Sequence, residues 1–155
     1  MSVRTGLGVD THRFAEGRAL VLGGVEIPHA RGLAGHSDAD VLAHAITDAI
    51  LGAADMGDIG QHFPDTDPAF KDADSIMLLR EVVARVGAGG WTIEHVDATV
   101  VMERPKLAPH RDAIAARLRE AVGASVSVKA TTGEGMGFVG REEGVAALAV
   151  ATLVR

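Results

Sequence analysis

The chain has no cysteine among its 155 residues. This excludes a disulfide framework, a thiolate metal centre and a catalytic thiol, and it agrees with a reducing compartment. There is no tyrosine, one tryptophan and four phenylalanines, too few flat rings for a base-stacking platform. A net charge of -6, with no basic, aromatic-rich strip, argues against nucleic acid as a partner. The N-terminal MSVRTGLGVDTHRF lacks the apolar core of a signal peptide. The uncharged run Gly144 to Val154 falls far short of the about 20 residues that span a bilayer. A soluble, unsecreted, cytoplasmic protein with no membrane partner is expected. The most informative absence is local: from Gly35 to Phe70 there is no lysine or arginine, against seven carboxylates and three histidines. If the ligand is anionic, metal ions must supply much of the positive charge.

A charge run of one sign is ordinarily a solvated face, but this one has internal order. Val41, Leu42, Ala45, Ile46, Ala49, Ile50 and Ala53 recur at helical spacing, predicting an amphipathic helix from Ser37 to about Ala54. Asp40, His44 and Asp48 form a second stripe on it, and Ser37 with Asp40 reads as a capping box. Upstream, Val3 to His12 reads as a strand, whose Asp10 and His12 at i and i+2 share a face. Asp10, His12 and His44 thus offer one oxygen and two nitrogens from separate rigid elements. Three protein ligands with an open position is the catalytic pattern for zinc. Asp40 or Asp48, one turn away, is expected to orient His44.

The length suits a single domain spanning 1–155, and 47% hydrophobic residues suffice for a sizeable core. Ala19 to Ile27 reads as a hairpin about Gly23-Gly24, and Asp55 to Pro68 as a loop with at most one turn, at Ile59 to Phe63. A second helix is expected from about Asp74 to Val86, a strand over Trp91 to Met102, and a third helix with Pro109 at its first position. Strands follow at Ser125 to Ala130 and Gly144 to Val154. The intervening Thr131 to Arg141 carries four glycines, without phosphate-loop or dinucleotide spacing. This order predicts an α+β fold of one mixed sheet covered by helices on one face, and the bare face calls for a second copy of the chain.

Taken together, GLGVDTHRF, GHSDADVLAHAITDAILGAADMGDIGQHFPDTD, the turn Glu103-Arg104-Pro105-Lys106-Leu107 and KATTGEGMGFVGR resemble the 2-C-methyl-D-erythritol 2,4-cyclodiphosphate synthase family over essentially the whole length. The resemblance implies a ferredoxin-like subunit, a homotrimer with sites between subunits, and a metal-dependent phosphoryl transfer. The implied substrate is a small cytidine diphosphate compound that is cyclised with release of CMP. Position by position, it implies a zinc-type ion at Asp10, His12 and His44, with Asp10 and His12 also touching substrate. His36 and Ser37 match contacts to the erythritol phosphate. Asp58, Ile59, Gly60, Phe63, Pro64, Asp65, Thr66 and Asp67 match the segment that holds the sugar hydroxyls. Met102, Glu103, Arg104, Pro105, Lys106, Leu107 and Ala108, with Ala130, Thr131, Thr132 and Gly133, match the wall that accepts cytidine and its phosphates. Glu134 matches the residue that helps place a second ion, magnesium or manganese. Phe138 and Arg141 match the end of the last binding loop. His36 and Thr132 are the expected stabilisers of charge at phosphorus. The family often has an acidic residue in the final strand where Leu148 stands here, which bears on the pairing of Arg141 and on isoprenoid binding in a central channel. A metal-dependent phosphohydrolase and a noncatalytic metal- or isoprenoid-binding trimer remain open as alternatives.

Overall fold

A computed structural model describes residues 1–155. Strand β1, Val3–Ala15, turns Gly6, Gly8, Asp10, His12 and Phe14 to one side and Leu7 and Val9 to the other. It pairs antiparallel along its length with the C-terminal strand β7, Gly144–Val154, from Val3↔Val154 to Arg13↔Gly144. β7 also pairs antiparallel with β5, Thr92–Val101, which pairs in parallel with β6, Ser125–Thr131. With the short β4, Gly32–Leu33, the mixed sheet has the order β4-β1-β7-β5-β6. A separate hairpin joins β2, Leu20–Leu22, to β3, Val25–Ile27. Its loop is Gly23-Gly24, both at positive φ, as a tight two-residue hairpin turn requires.

Three long helices complete the architecture: α1 at Val41–Ala53, α3 at Ser75–Ala88 and α4 at Arg111–Val122, the last forming the crossover between parallel β5 and β6. The single turns α2, Ile59–His62, and α5, Gly137–Gly140, lie in the connecting loops. The apolar stripe predicted for α1 is buried and joins a core cluster of 39 residues between helices and sheet. The opposite face is bare. Leu7 and Val9 are 63% and 53% exposed, Leu148 and Val150 38% and 43%, and the pairs Val9↔Leu148 and Leu7↔Val150 place them side by side. No helix is long and apolar enough to cross a membrane.

The expected mixed α+β arrangement is present, with differences at element ends. α1 starts at Val41 rather than Ser37 because Ala39 adopts φ +58, so the cap is Asp40, whose carboxylate accepts from the Ala43 N–H. Pro109 lies in a 3-10 turn, Ala108–His110, that precedes α4 instead of opening it. The glycine-rich loop contains the α5 turn.

The feature that positions the site is the contact of α1 with β1. A Cβ built on Gly8 would lie 1.8 Å from the Ala45 carbonyl oxygen, and one on Gly6 2.1 Å from that of Ala49. Helix backbone therefore rests on strand backbone, closer than any side chain permits. Gly8→Ala is expected to force α1 outward at a cost of about 1–3 kcal/mol, read as a lower midpoint in urea unfolding. A midpoint equal to that of the unmodified chain would show that the helix yields without loss.

Candidate functional site

The close seating of α1 on β1 brings His44 over the strand face that carries Asp10 and His12. Asp10 Oδ2 is 2.9 Å from His12 Nε2 and 3.2 Å from His44 Nδ1, and the two nitrogens are 3.3 Å apart. Side-chain exposures of 26%, 18% and 12% for Asp10, His12 and His44 leave the cluster open on one side. The predicted trio thus meets at one point.

The second nitrogens define the chemistry of the first. His12 Nδ1 donates to the Ala34 carbonyl at 2.8 Å, so its Nε2 can turn a lone pair to the cluster. His44 Nε2 lies 2.7 Å from Ser75 Oγ and 3.2 Å from Ser37 Oγ, which leaves Nδ1 facing Asp10. A carboxylate and two lone pairs at such separations repel unless a proton or a metal cation lies among them. A tetrahedral ion bound at 2.0–2.2 Å separates its ligands by roughly 3.3–3.6 Å; the two nitrogens at 3.3 Å already meet this, and the Asp10 contacts at 3.2 and 2.9 Å fall slightly short. The donor set fits a zinc-type divalent ion. Burial pushes the Asp10 carboxyl up, but hydrogen bonding to His12 and His44 outweighs it and holds the pKa at about 2. Burial likewise opposes charge on His12, yet the adjacent Asp10 raises its pKa above the ordinary imidazole value. Protons and metal therefore compete for the same atoms.

The expected orienting role of Asp40 and Asp48 is corrected by the structure. Asp40 is fully buried and accepts from the N–H groups of Gly23, Gly24 and Ala43, while Asp48 accepts from the N–H of Ile59. Both bind backbone rather than His44, which meets Ser75 and Ser37 instead. Sharing a helical stripe says which residues lie together, not what stands opposite them.

His12 and His44 open onto a cavity of about 440 Å³ whose wall includes His36, Ser37, Ile59, Gly60, Phe63, Pro64 and Asp65. The loop residues are fixed by mutual bonds. Asp72 N–H donates to the His36 carbonyl, Asp38 N–H to the Ala73 carbonyl, and Arg18 to the Ser37 carbonyl. His36 Nε2 sits 3.1 Å from the Asp67 carbonyl. Asp58 and Asp67 cap the turns after them through Gln61 N–H and Ala69 N–H, and Thr66 is exposed outside the cavity wall.

A second cleft of about 180 Å³ gathers Met102, Glu103, Pro105, Lys106, Leu107 and Ala108 with Ala130, Thr131 and Thr132. Arg104 is exposed and does not line it, while Arg111 does. The Glu103 carboxylate accepts from the N–H groups of Gly133 and Gly135, shaping the loop that bears Thr132 and Glu134. Glu134 is exposed. Phe138 faces a third cleft, with Thr11, His12 and Arg13, and Arg141 pairs with Glu143 at 2.7 Å. His12, His44 and His36 thus line one cleft of the chain, and Thr132 and Lys106 another.

Sequence reasoning missed Asp38 and Ser75 behind His44, and also Arg85 and His62. Arg85 lies 5.0 Å from the Phe63 ring centre and donates to His62 Nδ1 at 2.7 Å, bracing the cavity wall from behind. Ser75 opens α3 and Arg85 lies near its end, so both read in sequence as ordinary helix residues.

A family model described as the YgbB family matches residues 3–154. The 2-C-methyl-D-erythritol 2,4-cyclodiphosphate synthase of Salinibacter ruber is 61% identical over 154 residues, covering 97% of this chain and 98% of that protein. A solved 2C-methyl-D-erythritol-2,4-cyclodiphosphate synthase in a CDP-bound form superposes with TM-score 0.89 at 39% identity, covering 97% of this chain and 100% of that one. The bifunctional IspDF of Campylobacter jejuni superposes with TM-score 0.94 at 44% identity. It aligns with 98% of this chain, which spans 42% of that protein's length.

Purified chain is expected to bind one divalent ion tightly, with affinity falling as pH is lowered through the imidazole range. His44→Ala should lose the ion yet stay folded, because the buried stripe of α1 is untouched. Elemental analysis beside circular dichroism checks this, and full metal content in the variant would sink the assignment.

Proposed function

This chain belongs to the YgbB family, and from that premise we propose that it cyclises 4-diphosphocytidyl-2-C-methyl-D-erythritol 2-phosphate. The products are 2-C-methyl-D-erythritol 2,4-cyclodiphosphate and CMP, in the non-mevalonate route to isoprenoid precursors. The observation that carries the reading is the Asp10, His12 and His44 cluster opening onto the cavity lined by His36, Ser37 and Asp65. The 155 residues act as one domain in this reading.

An oxygen of the 2-phosphate attacks the β-phosphorus, the bond from that phosphorus to the α-phosphate oxygen breaks, and CMP leaves. The nucleophile is already ionised, so no side-chain base is needed. A zinc-type ion held by Asp10, His12 and His44, and magnesium or manganese placed with help from Glu134, would offset the mutual repulsion of the phosphates. His36 and Ser37 hold the 2-phosphate end, and the loop from Asp58 to Asp67 holds the hydroxyls. Lys106 and its neighbours receive the cytidine phosphates, with Thr132 and His36 donating to the β-phosphoryl oxygens that gain charge. Keeping nucleophile and target in line supplies roughly 7–11 kcal/mol of the barrier, so the residues act mainly by position.

The active unit is a homotrimer with each site shared. Support comes from the separation of the metal cavity and the Lys106 cleft within one chain, and from the bare apolar strip of Leu7, Val9, Leu148 and Val150. In a cyclic trimer every interface is head to tail, so the metal half of one chain meets the nucleotide half of one neighbour.

Mass spectrometry of the turnover mixture is expected to detect the cyclic diphosphate and equimolar CMP. Rapid CMP release from a substrate lacking the 2-phosphate would instead mark a phosphohydrolase. For the shared site, His44→Ala and Lys106→Ala chains, each nearly inactive, are unfolded together and reassembled. Random 1:1 trimers contain about a quarter undamaged sites, so activity should recover to that level. Verified mixed trimers without recovery would refute sharing while leaving the metal cluster intact. Glu134→Gln should lower turnover more than metal content at the Asp10 cluster, and added magnesium should partly compensate; unchanged turnover at limiting metal would remove Glu134 from this role.

A further inference from the structure

Ser75 is 1% exposed and makes a directed chain of polar contacts. Its Oγ lies 2.7 Å from His44 Nε2, and its hydroxyl donates to Asp38 Oδ1 in a short contact. Asp38 Oδ2 accepts from the Ser75 backbone N–H at 3.0 Å, and Oδ1 also accepts from the Asp40 N–H at 3.2 Å. A carboxylate in this state only accepts. The Ser75 proton therefore points to Asp38, the Ser75 oxygen is left to accept, and the His44 proton is drawn to Nε2. That leaves the Nδ1 lone pair facing Asp10 and His12.

We propose that Asp38 and Ser75 are positioning residues that set the tautomer and ring angle of His44 and so tune metal affinity at the Asp10, His12 and His44 cluster. The inference rests on the metal reading above and adds to it the groups that make His44 a ligand. Ala34 does the same for His12, through a backbone carbonyl that no substitution removes. The Asp38 pair differs because it spans elements. Asp38 lies on the loop before α1, and Ser75 is the first residue of α3, directly after the loop that forms the cavity wall.

Polarity distinguishes this role from plain packing. Asp38→Asn keeps the shape but can turn an amide donor toward Ser75; the hydroxyl then donates to His44 Nε2, and the His44 proton moves to Nδ1, where it blocks the metal. Ser75→Ala removes one oxygen from a buried side chain and leaves His44 with the longer contact to Ser37.

The test is competition of cobalt against a chelator on the full chain, with the visible spectrum of bound cobalt and turnover at limiting and saturating metal. Partners of this kind typically alter metal affinity by about 10–100-fold. Ser75→Ala should weaken cobalt binding within that range and Asp38→Asn at least as much, with both metal-free variants still folded by circular dichroism and turnover restored at saturating metal. Affinity and spectrum like those of the unmodified chain in Asp38→Asn would overturn the proposal. So would a loss of turnover that saturating metal does not restore, since that marks a structural role alone. Failure of the unmodified chain itself to bind cobalt would overturn the metal reading, separately from the comparison of variants.

Discussion

The contact of α1 backbone on β1 at Gly6 and Gly8 is the constraint on which the site depends. Elements packed through their side chains ordinarily stand about 8–10 Å apart, and here the glycines let the helix backbone come closer than a Cβ would allow. Without Cβ atoms at these positions, the Ala45 and Ala49 carbonyls settle against the strand, and His44 is lowered to 3.2 Å from Asp10. Gly6, Gly8, Asp10 and His12 lie on one face at successive i+2 positions, so the residues that admit the helix and those that meet its histidine follow from a single pleat.

Asp40 holds the other end of that arrangement. It caps α1 and fastens the β2-β3 turn to the helix through Gly23 and Gly24 N–H groups. Burial raises its pKa to about 6, against the lowering effect of three amide bonds. A carboxylate kept there despite that cost fixes where α1 begins. The turn at Ala39 directly precedes Asp40, and from the segment before that turn Ser37 reaches His44 directly and Asp38 reaches it through Ser75.

Much of the architecture was legible because it follows from periodicity. The buried stripe of α1 and the i, i+2 pairing of Asp10 and His12 specify faces, and faces determine which elements pack together. The Asp-His-His cluster followed from those rules and needed only the assumption that strand and helix adjoin. The partners of His44 did not follow. Ser75 is 31 residues away in sequence from His44 and sits where a helix-starting serine is common, while Asp40 and Asp48 share a stripe with His44 but point to backbone amides on other elements. Local spacing could not reveal the positive φ of Ala39, which moved the helix start and changed the neighbours of Ser37.

The density of acid in a segment that would meet a phosphorylated ligand is explained by where the carboxylates point. Asp38, Asp40, Asp48, Asp58, Asp67 and Asp74 each accept from at least one backbone N–H, and Glu103 accepts from two. Amide dipoles offset their charge locally, and the same bonds build a rigid wall from loops that have little apolar content of their own. The cavity beside His44 is lined by no lysine or arginine, whereas the cleft near Thr132 has Lys106 and Arg111. Of these two clefts, only the one near Thr132 carries cationic side chains. Attraction for phosphate in the other cleft must come from imidazoles, loop amides and whatever cation the Asp10, His12 and His44 cluster holds. A fixed lysine would attract every phosphate alike; a cation held by three ligands with one side open favours a group that can reach that side.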